Sequence, residues 1–262
     1  MTTMTVPQLR QGFHALTPYL LVERIDEFMT FMTTAFGAVE TARAGGSAGG
    51  IHIEARIGDS MLMMGGYRGM TEMPTALHLY VEDADAVYAR AVAAGATTLH
   101  PLTDQPYGDR EASVRDPFGN HWYIATHTAS PATGHRPEGL RAVTPYLHPR
   151  GAQRMIDFLR NAFDAEEAFR HQEADGQIVH VKVRVGDSVI EMGEAHGPWQ
   201  PMPGAFYLYV DDVDRRYAQA LRAGATSQQA PADQPHGDRV AHVQDPGGNI
   251  WYIATPLPPV VR

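Results

Sequence analysis

Along the chain, apolar positions switch between a two-residue period and a helical period, and the switch recurs. Ala15 to Val22 (ALTPYLLV) is a short apolar run compatible with a strand, and Thr17-Pro18 suggests an edge or first-residue place for the proline. Ile25, Phe28, Met29, Met32 and Phe36 then recur at i, i+3, i+4, i+7 and i+11, one face of a helix, with Gly37 as its C-cap. Strands follow at Ile51 to Ile57 (IHIEARI) and Ser60 to Met64 (SMLMM) around Gly58-Asp59, a hairpin turn signal, after an irregular strand near Val39 to Ala44. The order is β-α-β-β-β. It begins again at once: Ala76 to Val81 (ALHLYV) reads as a strand, and Asp83 or Asp85 caps a helix through Tyr88, Ala91 and Val92 to Gly95. Three strands follow, at about Thr97 to Pro101, Arg110 to Arg115 and Trp122 to Thr126, the last two joined by a turn at Asp116-Pro-Phe-Gly-Asn120.

The whole pattern is then restated. From Ala76 to Thr126, 30 of 51 positions are identical to Ala205 to Thr255, at a constant offset of 129 residues. A period this long rules out a solenoid and indicates a duplicated domain. Thr144-Pro145-Tyr146-Leu147 repeats Thr17-Pro18-Tyr19-Leu20, and VHVKVRVGDSVIEMG repeats IHIEARIGDSMLMMG. Residues 128–140, rich in Pro, Gly, Ser and Thr, read as a linker. The organisation is a lead-in at 1–14, a first domain at 15–127, the linker, a second domain at 141–256 and a tail at 257–262. Gly45-Gly46-Ser47-Ala48-Gly49-Gly50 reads as a hairpin loop rather than a phosphate cradle, because no helix follows it.

Charge and composition narrow the partners. The net charge is −9 with no basic block, which argues against nucleic acid and anionic membranes. There is no cysteine, so thiol nucleophiles, disulfides and Cys-ligated metals are excluded. The first residues lack the charged start and apolar run of a signal peptide, and no stretch is apolar for long enough to span a bilayer; the expected location is cytoplasmic. No nucleophile elbow, Walker loop or dinucleotide fingerprint is present.

Tandem βαβββ modules with GDS in the first hairpin, LYVED…AGAT in the middle and DQPYGDR…DPFGN at the end resemble the vicinal oxygen chelate superfamily, in its PhnB-like branch. That group includes glyoxalase I, bleomycin-resistance proteins, fosfomycin-resistance enzymes and extradiol dioxygenases. The resemblance implies an α+β fold of four βαβββ modules arranged as two glyoxalase-like domains, their mixed sheets cupped around a site. Metal-using members carry His on a module's first strand and Glu on the last strand of the second module. Here those positions hold Thr17, Ala76, Thr144, Ala205, Tyr123 and Tyr252. Glu191 alone matches a family carboxylate, with Met63 as its first-half counterpart. By this reading the family's metal is absent and no cofactor is expected. A site outside the family positions stays open through His52 and His180, which share an equivalent strand position, His180 with Glu191 across the Gly186-Asp187 hairpin.

Tyr123 and Tyr252 replace the family Glu, so the resemblance points them into the cup, while Trp122 and Trp251 face the other way. His78, two residues from Ala76, shares its strand face, and Tyr207 is the counterpart; Met61 and Met63 alternate with Leu62 and Met64. Such a lining suits a flat or aromatic organic ligand. Gly-Asp-Arg at 108–110 and 237–239 is read first as structural, with Arg110 and Arg239 in internal ion pairs, and second as holding an acidic ligand. Tyr107 against His236, Ser113 against His242 and Met63 against Glu191 distinguish the halves, and the second half reads as the more polar. The first functional expectation is a metal-independent binding protein like the family's antibiotic-sequestering members, monomeric as a fused pseudo-dimer or a homodimer. The alternative is a glyoxalase-like lyase or isomerase with Glu191 as general base assisted by His180 or His236.

Overall fold

The structure is a computed structural model that describes residues 7, 9–46, 49–129 and 134–258. Parts of the lead-in (1–6 and 8), the glycine-rich loop (47–48), the linker (130–133) and the tail (259–262) lie outside the described residues. The first module runs β1 (Leu16–Leu21), α1 (Ile25–Phe36), β2 (Val39–Gly45), β3 (Ile51–Ile57) and β4 (Ser60–Gly66). The second runs β5 (Ala76–Tyr80), α2 (Ala84–Ala93), β6 (Thr97–Asp104), β7 (Asp109–Arg115) and β8 (His121–His127). The third is β9 (Val143–Leu147), α3 (Ala152–Phe163), β10 (Glu166–Gln172), β11 (Ile178–Val185) and β12 (Ser188–Met192). The fourth is β13 (Ala205–Tyr209), α4 (Val213–Arg222), β14 (Thr226–Asp233), β15 (Asp238–Gln244) and β16 (Ile250–Pro256).

The fold is α+β, with four βαβββ modules in two eight-stranded mixed sheets of order β14-β15-β16-β13-β1-β4-β3-β2 and β10-β11-β12-β9-β5-β8-β7-β6. The two modules of one half therefore fall in different sheets, and they meet through their helices, α1 with α2 and α3 with α4. Two compact units result: Tyr19–Tyr146, and Met1–Pro18 with Leu147–Arg262.

The proline of β1 is not where the local pattern put it. Pro18 is the third residue of a strand with neighbours on both sides. Its pairing with β4 starts one residue later, Tyr19 opposite Met63, so the missing N–H falls outside that ladder. β6 is an edge strand and runs on through Pro101 to Asp104, with register shifts at His100 that absorb the proline.

In the Tyr19–Tyr146 unit, Phe28 and Met32 of α1 pack with Leu62, Met64, Leu77, Leu79, Val114, Trp122 and Ile124. Gly37 ends α1 at φ +70°, its N–H reaching the carbonyls of Met32 and Thr33. Asp83 caps α2, accepting from the N–H of Ala86 at 2.9 Å. In the other unit, Phe163, Phe206 and Trp251 occupy the matching core, and Asp212 caps α4. Two positions differ in kind. Asp164 stands at φ +51° where α1 has Gly37, and fully buried Arg216 stands where α2 has Val87; they form an ion pair at 2.5 Å.

Both DP-x-G-N turns are built on one carboxylate. Asp116 accepts from the N–H groups of Phe118 and Asn120 through Oδ1, and from Asn120 Nδ2 and Trp122 Nε1 through Oδ2, all at 2.9 Å. Asp245 repeats this with Gly247, Asn249 and Trp251. The Asn120 side-chain Oδ1 then accepts from the N–H of Thr75, tying the turn to the approach to β5.

Candidate functional site

Strand register decides which side chains share a face. Across β5, β8 and β7, His78 lies opposite Tyr123 and Tyr123 opposite Ser113; in the next row Tyr80, Ala125 and Glu111 line up, then His127 opposite Asp109. The alternating residues Leu77, Leu79, Val114, Trp122 and Ile124 belong to the helix-facing core, so His78, Tyr123, Glu111 and Asp109 occupy the face away from the helices. From β9, Thr144 lies opposite His78. Tyr146 brings its ring 5.0 Å from that of Tyr123.

This face gathers aromatic rings around acidic groups. The imidazole of His78 stacks on Tyr80 with centroids 4.1 Å apart, and its Nε2 lies 3.3 Å from Glu111 Oε2. Tyr80 donates its hydroxyl to Asp109 Oδ2 at 3.1 Å, and His127 Nδ1 stands 2.5 Å from Asp109 Oδ1. His78 and Asp109 are 5% and 4% exposed, so the donors sit in a shielded place. Ligand atoms of His78, Asp109 and Glu111 all fall within 4.8 Å of one another. Burial, with the charge of Glu111 second, pushes the Tyr123 phenol far above its usual range and keeps it a neutral donor.

The corresponding face of the other unit has different chemistry. Tyr207 takes the place of His78 and donates to Asp238 Oδ2 at 2.8 Å, while Val240 takes the place of Glu111. Tyr252 packs edge-on against His242 at 4.5 Å. On this face the expectation that the second half is the more polar is reversed: the His–carboxylate cluster lies in the first. Burial lowers the pKa of His242, and burial followed by the Arg115 charge lowers that of His121. A histidine held neutral by the fold takes up its proton more readily once unfolded, so stability falls as pH drops below the unfolded value of about 6.5. For Asp59 and Asp187 burial is outweighed by backbone donors at Ala142 and Ala15, which hold both carboxyls below their usual range. Their contribution is lost only as pH falls below about 4. The two histidines are therefore expected to lower stability in urea unfolding at pH 5.5 relative to 7.5, while the carboxyls of Asp116 and Asp245, raised by burial, act in the opposite sense. Exchanging each histidine for its counterpart in the other half, His242→Ser with His121→Ile, is expected to shrink that difference; an unaltered difference would assign it to other groups.

The remaining sequence candidates separate clearly. His180 and Glu191 do come together, Nε2 to Oε1 at 3.4 Å, but Glu191 is 1% exposed and also has Lys182 Nζ at 3.7 Å. It is a charge-compensated carboxylate, which weakens its reading as a general base. His236 is not beside it: it stands 3.4 Å from the Tyr207 hydroxyl, mostly exposed. His52 accompanies Tyr19 at 3.1 Å and Glu54 at 3.7 Å, and a side chain at Gly65 would meet the Tyr19 hydroxyl at 2.6 Å. Met63 is buried with Met61 on the face away from the core, and Tyr107 is 60% exposed in the turn before β7. Of the two readings of Arg110 and Arg239, the ion pairs are what the structure forms. Arg110 alternates with Asp109 and Glu111, and it is held bidentately by Asp85 at 2.5 and 2.7 Å and by Asp104 at 3.0 Å. Arg239 repeats this with Asp214 and Asp233. Glu111 and Ser113 carried no motif of their own. The signal for them is alternation along β7, which puts both on the face opposite that of the buried Val114.

The family model described as Glyoxalase/Bleomycin resistance protein/Dioxygenase superfamily matches residues 12–124 and 149–253. An uncharacterized protein of Mycobacterium tuberculosis is 40% identical over 123 residues, covering 42% of this chain and 72% of its own length. A Mycobacterium bovis protein named "Putative glyoxylase CFP32" is 29% identical over 192 residues, 69% of each chain. The crystal structure of glyoxalase I from Zea mays superposes with a TM-score of 0.69, covering 92% of both chains at 13% identity, a likeness of fold alone.

Proposed function

Because the chain belongs to the glyoxalase/bleomycin resistance protein/dioxygenase superfamily, we propose that it binds a small organic molecule on the His78–Tyr123 face of the Tyr19–Tyr146 unit. Apart from Glu191, whose charge Lys182 accompanies at 3.7 Å, the residues at the family's metal positions do not fit a divalent cation. Ala76 and Ala205 offer no donor atom, Thr17 and Thr144 offer neutral hydroxyls, and the Tyr123 phenol is held neutral by burial. Binding through the protein's own side chains is the reading that remains for those positions.

The observation that carries the proposal is the contact of four rings, His78, Tyr80, Tyr123 and Tyr146, on one sheet face beside Asp109 and Glu111. Aromatic walls with a few polar groups at one end suit a flat ligand whose donor group meets the carboxylates. Trp122 and Trp251 are fully buried on the core side, so their fluorescence does not report directly on this face. Saturation-transfer NMR with planar aromatic amines and phenols is the suitable measurement. Tyr123→Ala and Tyr146→Ala are each expected to weaken any binder by about tenfold, the worth of one lost aromatic contact plus its apolar area. Binders indifferent to both changes would remove this face from the proposal.

A second reading is favoured by the His78–Glu111 separation of 3.3 Å, which suits proton transfer in a lyase or isomerase and moves that role away from Glu191. The name of the 29%-identical relative points the same way. Recovery of a chemically altered ligand would select this reading. Glu111→Gln is then expected to stop turnover while leaving affinity nearly unchanged.

A further inference from the structure

We infer that His78, Asp109 and Glu111 form a site for one first-row divalent cation, displaced from the positions the superfamily uses. It shares the face proposed above but does not rest on that reading, since cation uptake is measured with no organic ligand present.

Donors bound at about 2.0–2.2 Å from a cation stand roughly 3–3.5 Å apart in octahedral or tetrahedral sites. His78 Nε2 and Glu111 Oε2 are 3.3 Å apart, wider than the 2.7–2.9 Å usual for a charge-assisted hydrogen bond, and Asp109 completes the trio within 4.8 Å.

Asp109 and Glu111 lie on one strand face, 4% exposed and 14% exposed by side chain, and their ion pairs are with His127 and His78. Arg110, between them in sequence, is turned away and occupied by Asp85 and Asp104. Two shielded carboxylates on one strand face repel one another, and a divalent cation between them offsets that repulsion.

Asp109 is held by Tyr80 and His127, and the His78 ring is held by its stack on Tyr80; outer partners of this kind fix ligands ready for a metal. Ser113 is 2% exposed, lies two residues from Glu111 on the same face, and its Oγ has no hydrogen-bond partner in the structure. A buried hydroxyl left in this way is rare and points to a further ligand or a bound water beside the cation. One imidazole with two carboxylates suits Mn²⁺, Fe²⁺ or Zn²⁺ better than the all-oxygen cations Mg²⁺ and Ca²⁺. Tyr207 and Val240 replace His78 and Glu111 in the other half, so the expected stoichiometry is one per chain.

The test uses the full, untagged chain, stripped with EDTA and titrated with Mn²⁺ while electron paramagnetic resonance follows the free ion, with Zn²⁺ as competitor. One Mn²⁺ per chain is expected. Glu111→Val and His78→Tyr, which install the residues of the other half, are each expected to weaken uptake more than about 100-fold, beyond the loss typical of an outer-shell change. Circular dichroism melts confirm that each variant folds, and Glu111→Val alone suffices if His78→Tyr does not. His180→Ala is expected to leave uptake intact. Absence of uptake, uptake that survives Glu111→Val, or loss caused instead by His180→Ala would each overturn the assignment.

Discussion

Asp116→Ala is expected to destabilise the Tyr19–Tyr146 unit by about 3–5 kcal/mol, the upper range for a single substitution. The carboxylate accepts four hydrogen bonds, from two backbone N–H groups, the Asn120 amide and the Trp122 indole. Its removal leaves those donors in a place where Trp122 is fully buried and Asn120 is 1% exposed. The loss comes mainly from stranding them, because the ionised group itself is costly to bury. Burial pushes the Asp116 carboxyl above its usual range, and the indole and amide donors offset this only in part. Asp116→Asn is expected to be destabilising as well, since an amide accepts on one side only and turns its NH₂ toward other donors. Asp245→Ala should cost the other unit a similar amount, as its four partners are the same in kind. Urea unfolding monitored by tryptophan fluorescence measures both. A cost under about 1 kcal/mol would show that the turn relaxes and hydrates its donors.

The consequence reaches the His78–Tyr123 face. Trp122 precedes Tyr123 in β8, so the core anchor and the residue on the opposite face are neighbours, and Asp116 holds the first in place to orient the second. Much of this was legible in the sequence. Helix periodicity with Gly37 marked α1, Asp83 or Asp85 marked the start of α2, of which the structure uses Asp83, and alternation placed His78 and Tyr123 on one face. Asp109 escaped as a site residue because Gly108-Asp109 reads as a turn, whereas β7 begins at Asp109 and thereby carries Asp109, Glu111 and Ser113 on a single face. Glu191 with His180 was legible from hairpin pairing, but Lys182 directly opposite Glu191 changes its meaning from free base to compensated charge. Sheet order is set by non-local pairing, which no local pattern contains; hence Pro18 looked like an edge residue and lies in an inner strand.

Asp164→Gly is expected to destabilise the second-half unit by about 2–4 kcal/mol, while the double change Asp164→Gly with Arg216→Val should return it to within about 1 kcal/mol of the parent. Arg216 is fully buried, with Asp164 Oδ2 at 2.5 Å, Gln219 Oε1 at 3.1 Å and Asp211 at 4.0 Å. Removing Asp164 strands a buried guanidinium, a cost of about 3–5 kcal/mol, from which roughly 1 kcal/mol is recovered because glycine is unstrained at φ +51°. The double variant converts both positions to the residues that the first half uses, Gly37 at the C-cap and Val87 on the facing helix, and that half packs α1 on α2 with no ion pair there. Arg216→Val alone should cost less than Asp164→Gly alone, since the stranded Asp164 keeps 26% of its side-chain surface and can hydrate. Denaturant unfolding of all four proteins gives the coupling energy, expected at about 2–3 kcal/mol. Additive single effects would mean that the pair contributes nothing specific. The two halves would then differ at this helix contact by drift rather than by an exchange of one packing solution for another.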